Sequence, residues 1–209
     1  MHVFIVYAHP SEESFTYSVL LAFINGLKHS NHTYEISDLY KMNFKSDMEL
    51  DEYERESGRG PNRTIPEDIK HEQEKINISD ALVLIYPVWW SDCPAKMKGW
   101  FDRVYTLGFA YMYEAGKHTG ACLKVKKALV LCAAGHTVEY LEEIGIAESM
   151  RTVMLKDRLL GVGAEQAEMV ILGGMVSKDY EVRERNLKLA FDIGRNMKIG
   201  RQDTHLSQA

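Results

Sequence analysis

The sequence predicts an α/β protein built on a doubly wound, five-stranded parallel sheet with helices on both faces. Three observations carry this. The runs Ala81–Tyr86 and Ala128–Ala134 are apolar without alternation, the mark of strands buried on both faces. Strand-length runs alternate with helix-patterned segments five times, as a covered parallel sheet requires. With 209 residues, 45% of them hydrophobic, the chain is long enough to bury one full core.

Each element follows in order. Val3–Ala8 is the first strand and breaks at His9-Pro10. The helix Tyr17–Lys28 has Leu20, Leu21, Ile24 and Leu27 at helical spacing. Thr33–Leu39 alternates as a shorter strand. Residues 41–66 are polar, charged and Gly-bearing, a long excursion of the kind that forms a dimer interface or an active-site rim. Pro66-Glu67-Asp68 opens a helix carrying Ile69, Ile76 and Ile78. After the strand Ala81–Tyr86 come the helix Pro94–Tyr105 and the strand Ala128–Ala134. Ala167–Leu172, ended by Gly173-Gly174, is the last strand and Tyr180–Lys198 the terminal helix. Residues 1–200 read as one domain and the polar 201–209 as a flexible tail. No GxGxxG follows the first strand, which favours the flavodoxin-like variant over the Rossmann one.

Composition narrows the function. A net charge of −5 gives no reason to expect nucleic acid or an anionic membrane as partner. The three cysteines form no CxxC pair, so we expect a reduced, cytoplasmic setting with no disulfide frame and no metal site. No apolar run approaches ~20 residues, and the start lacks a basic n-region, so neither membrane insertion nor a signal peptide is expected.

In such a sheet a ligand sits beyond the carboxyl ends of the strands, where strand order reverses. Three loops occupy that end. His9–Tyr17 joins a buried strand to a helix N-terminus, whose free N–H groups and dipole favour an anion. Ser14 and Thr16 add hydroxyls, and phosphate suits them. The second loop, Pro87-Val88-Trp89-Trp90-Ser91-Asp92-Cys93-Pro94, sets two tryptophans between two prolines. A planar, heteroatom-rich ring would use its aromatic wall and backbone N–H groups together. The competing reading has Trp89 and Trp90 plugging a hydrophobic seam. The third loop is Ala133-Ala134-Gly135-His136-Thr137, with Tyr140 a few residues on.

Other candidates carry less. No base stands near Cys93 in sequence, so it reads as a buried structural thiol. Glu12-Glu13 and Asp47–Glu56 read as solvated acidic faces, and Asp102 as half of an ion pair with a neighbouring cation. Ser14 lacks the GxSxG of a nucleophile.

Four segments then appear in one order: YAHPSEESFTYS from Tyr7, DLYKMNF at 38–44, YPVWW with PAKMKGWFDRVY at 86–105, and GFAYMY at 108–113. In these the chain resembles the NAD(P)H:quinone oxidoreductases. These flavodoxin-like flavoproteins include the mammalian DT-diaphorase type and bacterial modulator-of-drug-activity and potassium-efflux ancillary proteins. The resemblance spans about Val3 to Gly135 and is weaker beyond.

It implies a flavin site. His9, Ser14, Phe15 and Thr16 would hold the phosphates and ribityl chain. Pro87, Val88, Trp89, Trp90 and Ser91 would run along the isoalloxazine ring, with Ala134 and Gly135 at its pyrimidine side and Tyr140 near the nicotinamide or quinone. Tyr111 and Tyr113 match an arm that reaches into the other subunit of a homodimer. Hydride would pass from NADPH or NADH to flavin N5 and on to a quinone or similar flat acceptor, in ping-pong fashion. The Asp38–Phe44 and GFAYMY segments favour FAD, with FMN the alternative. Members of the family place a histidine six residues after the tyrosine; here Ile146 and Ala147 stand there, and His136 is the candidate substitute. Two rival readings are a flavin-binding regulatory subunit of a potassium-efflux transporter and a flavodoxin-type electron carrier.

Overall fold

The computed structural model describes residues 1–58, 64–114, 117–177 and 179–199. The tail 201–209 and residues 59–63 of the excursion lie outside the described residues. The chain runs through β1 (His2–Tyr7), α1 (Phe15–His29), β2 (Thr33–Asp38), α2 (Leu50–Glu56), α3 (Glu67–Ile78), β3 (Ala81–Pro87) and α4 (Ala95–Val104). It continues through β4 (Tyr111–Glu114), β5 (Lys117–Ala121), β6 (Lys127–Ala133), α5 (Val138–Glu143) and α6 (Ile146–Arg151). A π-helical turn (Thr152–Asp157) and a 3-10 turn (Leu160–Val162) lead to β7 (Ala167–Leu172) and α7 (Tyr180–Arg195).

Strand alternation sorts the core into two layers. In β1, Phe4 and Val6 join one buried cluster while Val3, Ile5 and Tyr7 join the other. Every residue of β3 and β6 is buried, as their unalternated sequences require. The five strands pair in parallel in the order β2-β1-β3-β6-β7, the expected doubly wound sheet.

One face is covered by α1 and α7, which approach closely through glycine. A Cβ on Gly26 would lie 2.1 Å from the Phe191 carbonyl oxygen, and one on Gly194 would lie 2.3 Å from that of Phe23. The other face packs Met97, Trp100, Phe101, Met150 and Met154 against the sheet.

Two buried charge networks tie this second face together. Glu72 is fully buried and accepts bonds from Trp100 Nε1 (2.8 Å), Ser37 Oγ (2.8 Å) and Lys75 Nζ (2.8 Å). Arg103, also buried, donates to Glu52 (2.9 Å), Asp68 (2.8 Å) and the Lys45 carbonyl (2.9 Å) and lies over the Phe44 ring. The acidic stretch 47–56 is therefore not simply a solvated face: Arg103 draws Glu52 into the interior and fastens the excursion to α4. Asp102 does pair with a neighbour, Lys98.

The structure adds elements that the sequence pattern did not announce. The β4–β5 ribbon is antiparallel and separate from the main sheet. Strands of four and five residues are too short for a periodic signal. The same holds for the seven residues of α2 and the six each of α5 and α6.

Candidate active site

The strand after β1 in sequence lies on one side of it and β3 on the other, so the order reverses between β1 and β3. The loops leaving these two strands meet there. The His9 and Trp89 rings lie 6.0 Å apart, inclined at 59°.

In the first loop, Ser14 caps α1 by accepting a bond from Tyr17 N–H at 3.1 Å. Phe15 and Thr16 N–H groups remain for an anion, and no acidic residue occupies the first turn. Thr16 itself is buried, whereas Ser14 and Phe15 are half-buried. The Tyr7 hydroxyl ends beside Ser14, buried and completing no hydrogen bond; burial pushes its pKa up to about 12.

Ser11 brackets His9 Nδ1, with its N–H at 3.0 Å and its carbonyl oxygen at 3.2 Å. Burial lowers the His9 pKa below its ordinary 6.5, against an opposing bond to the Ser11 carbonyl. The unfolded chain thus takes up this proton first. Stability owed to His9 is complete above pH 6.5 and is lost as pH falls through the folded-state value. Urea midpoints of flavin-free protein are expected to fall more steeply below pH 6.5 in the natural chain than in His9→Asn.

The second loop is a tight turn. Trp89 and Asp92 exchange backbone bonds, Trp89 N–H to Asp92 O at 3.0 Å and Asp92 N–H to Trp89 O at 3.2 Å. Between them Trp90 and Ser91 take left-handed φ values of 51° and 65°. Val88 N–H is used by the Ala133 carbonyl at 2.8 Å. The N–H groups of Trp90 and Ser91 are thus the pair left for a ligand edge. Neither indole plugs a seam in this chain: Trp89 is 41% and Trp90 101% exposed. Cys93 is buried, and burial with the adjacent Asp92 pushes its thiol up to about 12, so it is no nucleophile.

In the third loop, Ala134 and Gly135 are fixed by the segment after β7. Met175 N–H donates to Ala134 O (3.0 Å) and Val176 N–H to Gly135 O (3.2 Å). A Cβ on Gly135 would come within 2.9 Å of Val176 Cγ2. His136 and Tyr140 are both exposed, with ring centroids 4.8 Å apart. Ala147 is buried and Ile146 packs against the core.

The arm residues divide. Tyr111 donates its hydroxyl to Glu56 of α2 at 3.0 Å, and the same carboxylate takes Leu107 N–H at 2.7 Å. Tyr113 pairs with His118 along the ribbon, while its side chain lies outside the described residues. Sequence reasoning missed Arg183, whose guanidinium stands 5.5 Å over the Phe15 ring at the α1 N-terminus. Nothing in sequence marks it, because α7 joins α1 only through the fold.

These groups fit a flavin nucleotide. The helix N-terminus, an arginine and an unbonded buried hydroxyl suit phosphate and ribityl oxygens. Two free N–H groups beside exposed indoles and a close-packed glycine suit a flat polar ring. Among the described residues no group of side chains suited to a metal occurs, and no helix is long and apolar enough to cross a membrane.

The sheet and its site define a flavodoxin-like protein. The family model described as "Flavodoxin-like fold" matches residues 1–191. An uncharacterized NAD(P)H oxidoreductase of Haemophilus influenzae is 31% identical over 191 residues, covering 91% of this chain and 92% of that one. The human ribosyldihydronicotinamide dehydrogenase [quinone] is 32% identical, over 69% of this chain and 68% of its own. The solved structure of NAD(P)H:quinone oxidoreductase from Methanothermobacter marburgensis is 56% identical, with a TM-score of 0.90, covering 95% of this chain and 99% of the other. The chain belongs to the NAD(P)H:quinone oxidoreductase family and is an oxidoreductase.

Proposed function

We propose that this chain is a flavin-dependent NAD(P)H:quinone oxidoreductase that holds FAD and works as a cytoplasmic homodimer. The observation that carries this is the meeting of His9 with Trp89 beside the free N–H groups of Trp90 and Ser91. Relatives named for NAD(P)H and quinone support this pair of reactants.

When bound, the flavin supplies the redox chemistry: hydride exchange at its N5 between NADPH or NADH and a flat acceptor, in alternating half-reactions. The protein supplies position and charge. The His9 ring, Ser14 and the Phe15 and Thr16 N–H groups bind phosphate, and Arg183 adds the cation that favours the diphosphate of FAD over the single phosphate of FMN. Pro87, Val88, Trp89, Trp90 and Ser91 wall the ring, and Ala134 and Gly135 close its far side. Tyr140 donates a hydrogen bond to negative charge that develops at the ring edge, and His136 holds the tyrosine in place. Leu107 and Met112 are exposed, as are Leu50 and Tyr53 of α2, and the Glu56 bonds to Leu107 and Tyr111 bring α2 to this arm, which supports a second copy covering it with Tyr111 and Tyr113 at its rim.

Cofactor released from the purified protein should have the mass of FAD, and anaerobic titration with NADH or NADPH should bleach it. A colourless protein that takes up neither FAD nor FMN would overturn the assignment. Tyr140→Phe is expected to slow the reductive half-reaction by about 1–2 kcal/mol, roughly 5–30-fold. Stopped-flow bleaching at an unchanged rate would reduce Tyr140 to packing.

A further inference from the structure

The Trp90-Ser91 turn is in a conformation that its own residues do not favour. Left-handed backbone suits glycine, and a bulky residue there is strained unless its surroundings fix it. Trp90 is fully exposed, so packing of the indole within this chain does not fix the turn. The two backbone bonds between Trp89 and Asp92 close it. What remains is Asp92 itself.

The Asp92 carboxylate is gripped on both oxygens. Arg158 Nη1 reaches Oδ1 at 2.8 Å and Nη2 reaches Oδ2 at 2.9 Å, while Cys93 N–H donates to Oδ1 at 2.7 Å. A bidentate fork fixes orientation as well as distance, which a lysine would not. Burial raises the Asp92 pKa, but the bonds from Arg158 and Cys93 outweigh it and leave the carboxyl below its ordinary range. The arginine is fixed in turn. Its side chain is 12% exposed, stands 5.4 Å over the Phe101 ring and has Cys93 Sγ at 3.7 Å.

Arg158 also follows the π-helical turn Thr152–Asp157, and its N–H bonds the Val153 carbonyl at 3.2 Å, five residues back. That inserted residue rotates the following side chain by about 100° relative to an α-helical continuation. Beside the turn lies a cavity of about 100 Å³, open to solvent past Val153 and lined also by Tyr86, Ser91, Asp92, Met150 and Met154. A turn released from its clamp has room to fall inward there.

We propose that Arg158 is a positioning residue for the ring-binding turn. Its fork on Asp92 holds Trp90 and Ser91 left-handed, with their N–H groups unbonded and the Trp90 indole held outward. This rests on the reading of the loop as a flavin wall.

The test uses the full-length chain without flavin, titrated with FAD and with FMN by fluorescence quenching. Arg158→Met removes the fork but leaves an apolar side chain against Phe101. It should bind flavin about tenfold more weakly, with Tm within about 3 °C of the natural chain. Ser91→Gly keeps the backbone N–H that serves the ring edge and takes the left-handed turn unstrained. Added to Arg158→Met, it should recover most of the lost affinity. A purely structural arginine would show no such rescue. Without flavin, the Trp90 emission, taken as the difference from Trp90→Ala, should shift to the blue in Arg158→Met as the indole moves inward. Should Arg158→Met fail to fold, Arg158→Lys, with one contact in place of two, carries the same comparison.

Unchanged emission and unchanged flavin affinity in the arginine variant would overturn the clamp, as would a double variant no tighter than Arg158→Met. If Trp90→Ala and Trp89→Ala bind flavin normally while the emission still shifts, the clamp stands and the flavin-wall reading fails.

Discussion

Trp100→Ala is expected to cost about 3–5 kcal/mol of folding stability, the largest loss we expect from a single truncation in this chain. The indole is fully buried and packs edge-on against Phe101 and Tyr105, at centroid distances of 5.4 and 5.7 Å. It also donates to Glu72, so truncation opens a cavity and strips a buried carboxylate of one donor. A domain commonly has only about 5–15 kcal/mol in total, so the variant should sit near the edge of folding. Trp100→Phe separates the two causes: it keeps most of the ring volume but not the N–H. Urea denaturation should place it between the natural chain and Trp100→Ala. A phenylalanine variant as stable as the natural chain would show that the Glu72 bond contributes nothing.

Gly26→Ala comes second. The added methyl would meet the Phe191 carbonyl and the Arg195 N–H, backbone atoms with no side-chain rotamer to yield. The two helices must separate, at about 1–3 kcal/mol or more for the overpacking. Gly194→Ala pushes the same helices apart from the other side, against Phe23. Once they have moved, the second methyl meets less resistance, so the double variant should cost less than the sum of the singles. Additive losses in urea midpoints would refute this shared contact. Because α1 carries Ser14 and the proposed phosphate-binding loop at its other end, flavin affinity should fall with stability in each variant.

Much of the fold was legible in sequence for one physical reason. Strands buried on both faces cannot alternate, so Ala81–Tyr86 and Ala128–Ala134 declared themselves, and each lies within a residue of an observed strand. Short elements did not. The β4–β5 ribbon and the helices after β6 have too few residues for a period to show. The acidic stretch 47–56 looks solvated in sequence for a related reason. Charge alone looks solvated, and only the placing of Arg103 on α4 shows that Glu52 is inside.

The site divides along the same line. Its local parts are sequence matters: a strand running into a Ser-capped helix, two tryptophans between prolines, a Gly135 loop followed by Tyr140. Local chain geometry fixes these, and a linear reading finds them. Which of these parts touch, and what holds them, was decided by tertiary structure. His9 meets Trp89 because β1 and β3 are neighbours in the sheet though far apart in the chain. Arg183 reaches Phe15 because α7 packs on α1, and Arg158 grips Asp92 because a π-helical turn re-aims it. Hydrogen bonds and ion pairs act over a few ångströms of space, and chain order does not specify that distance until the sheet has formed.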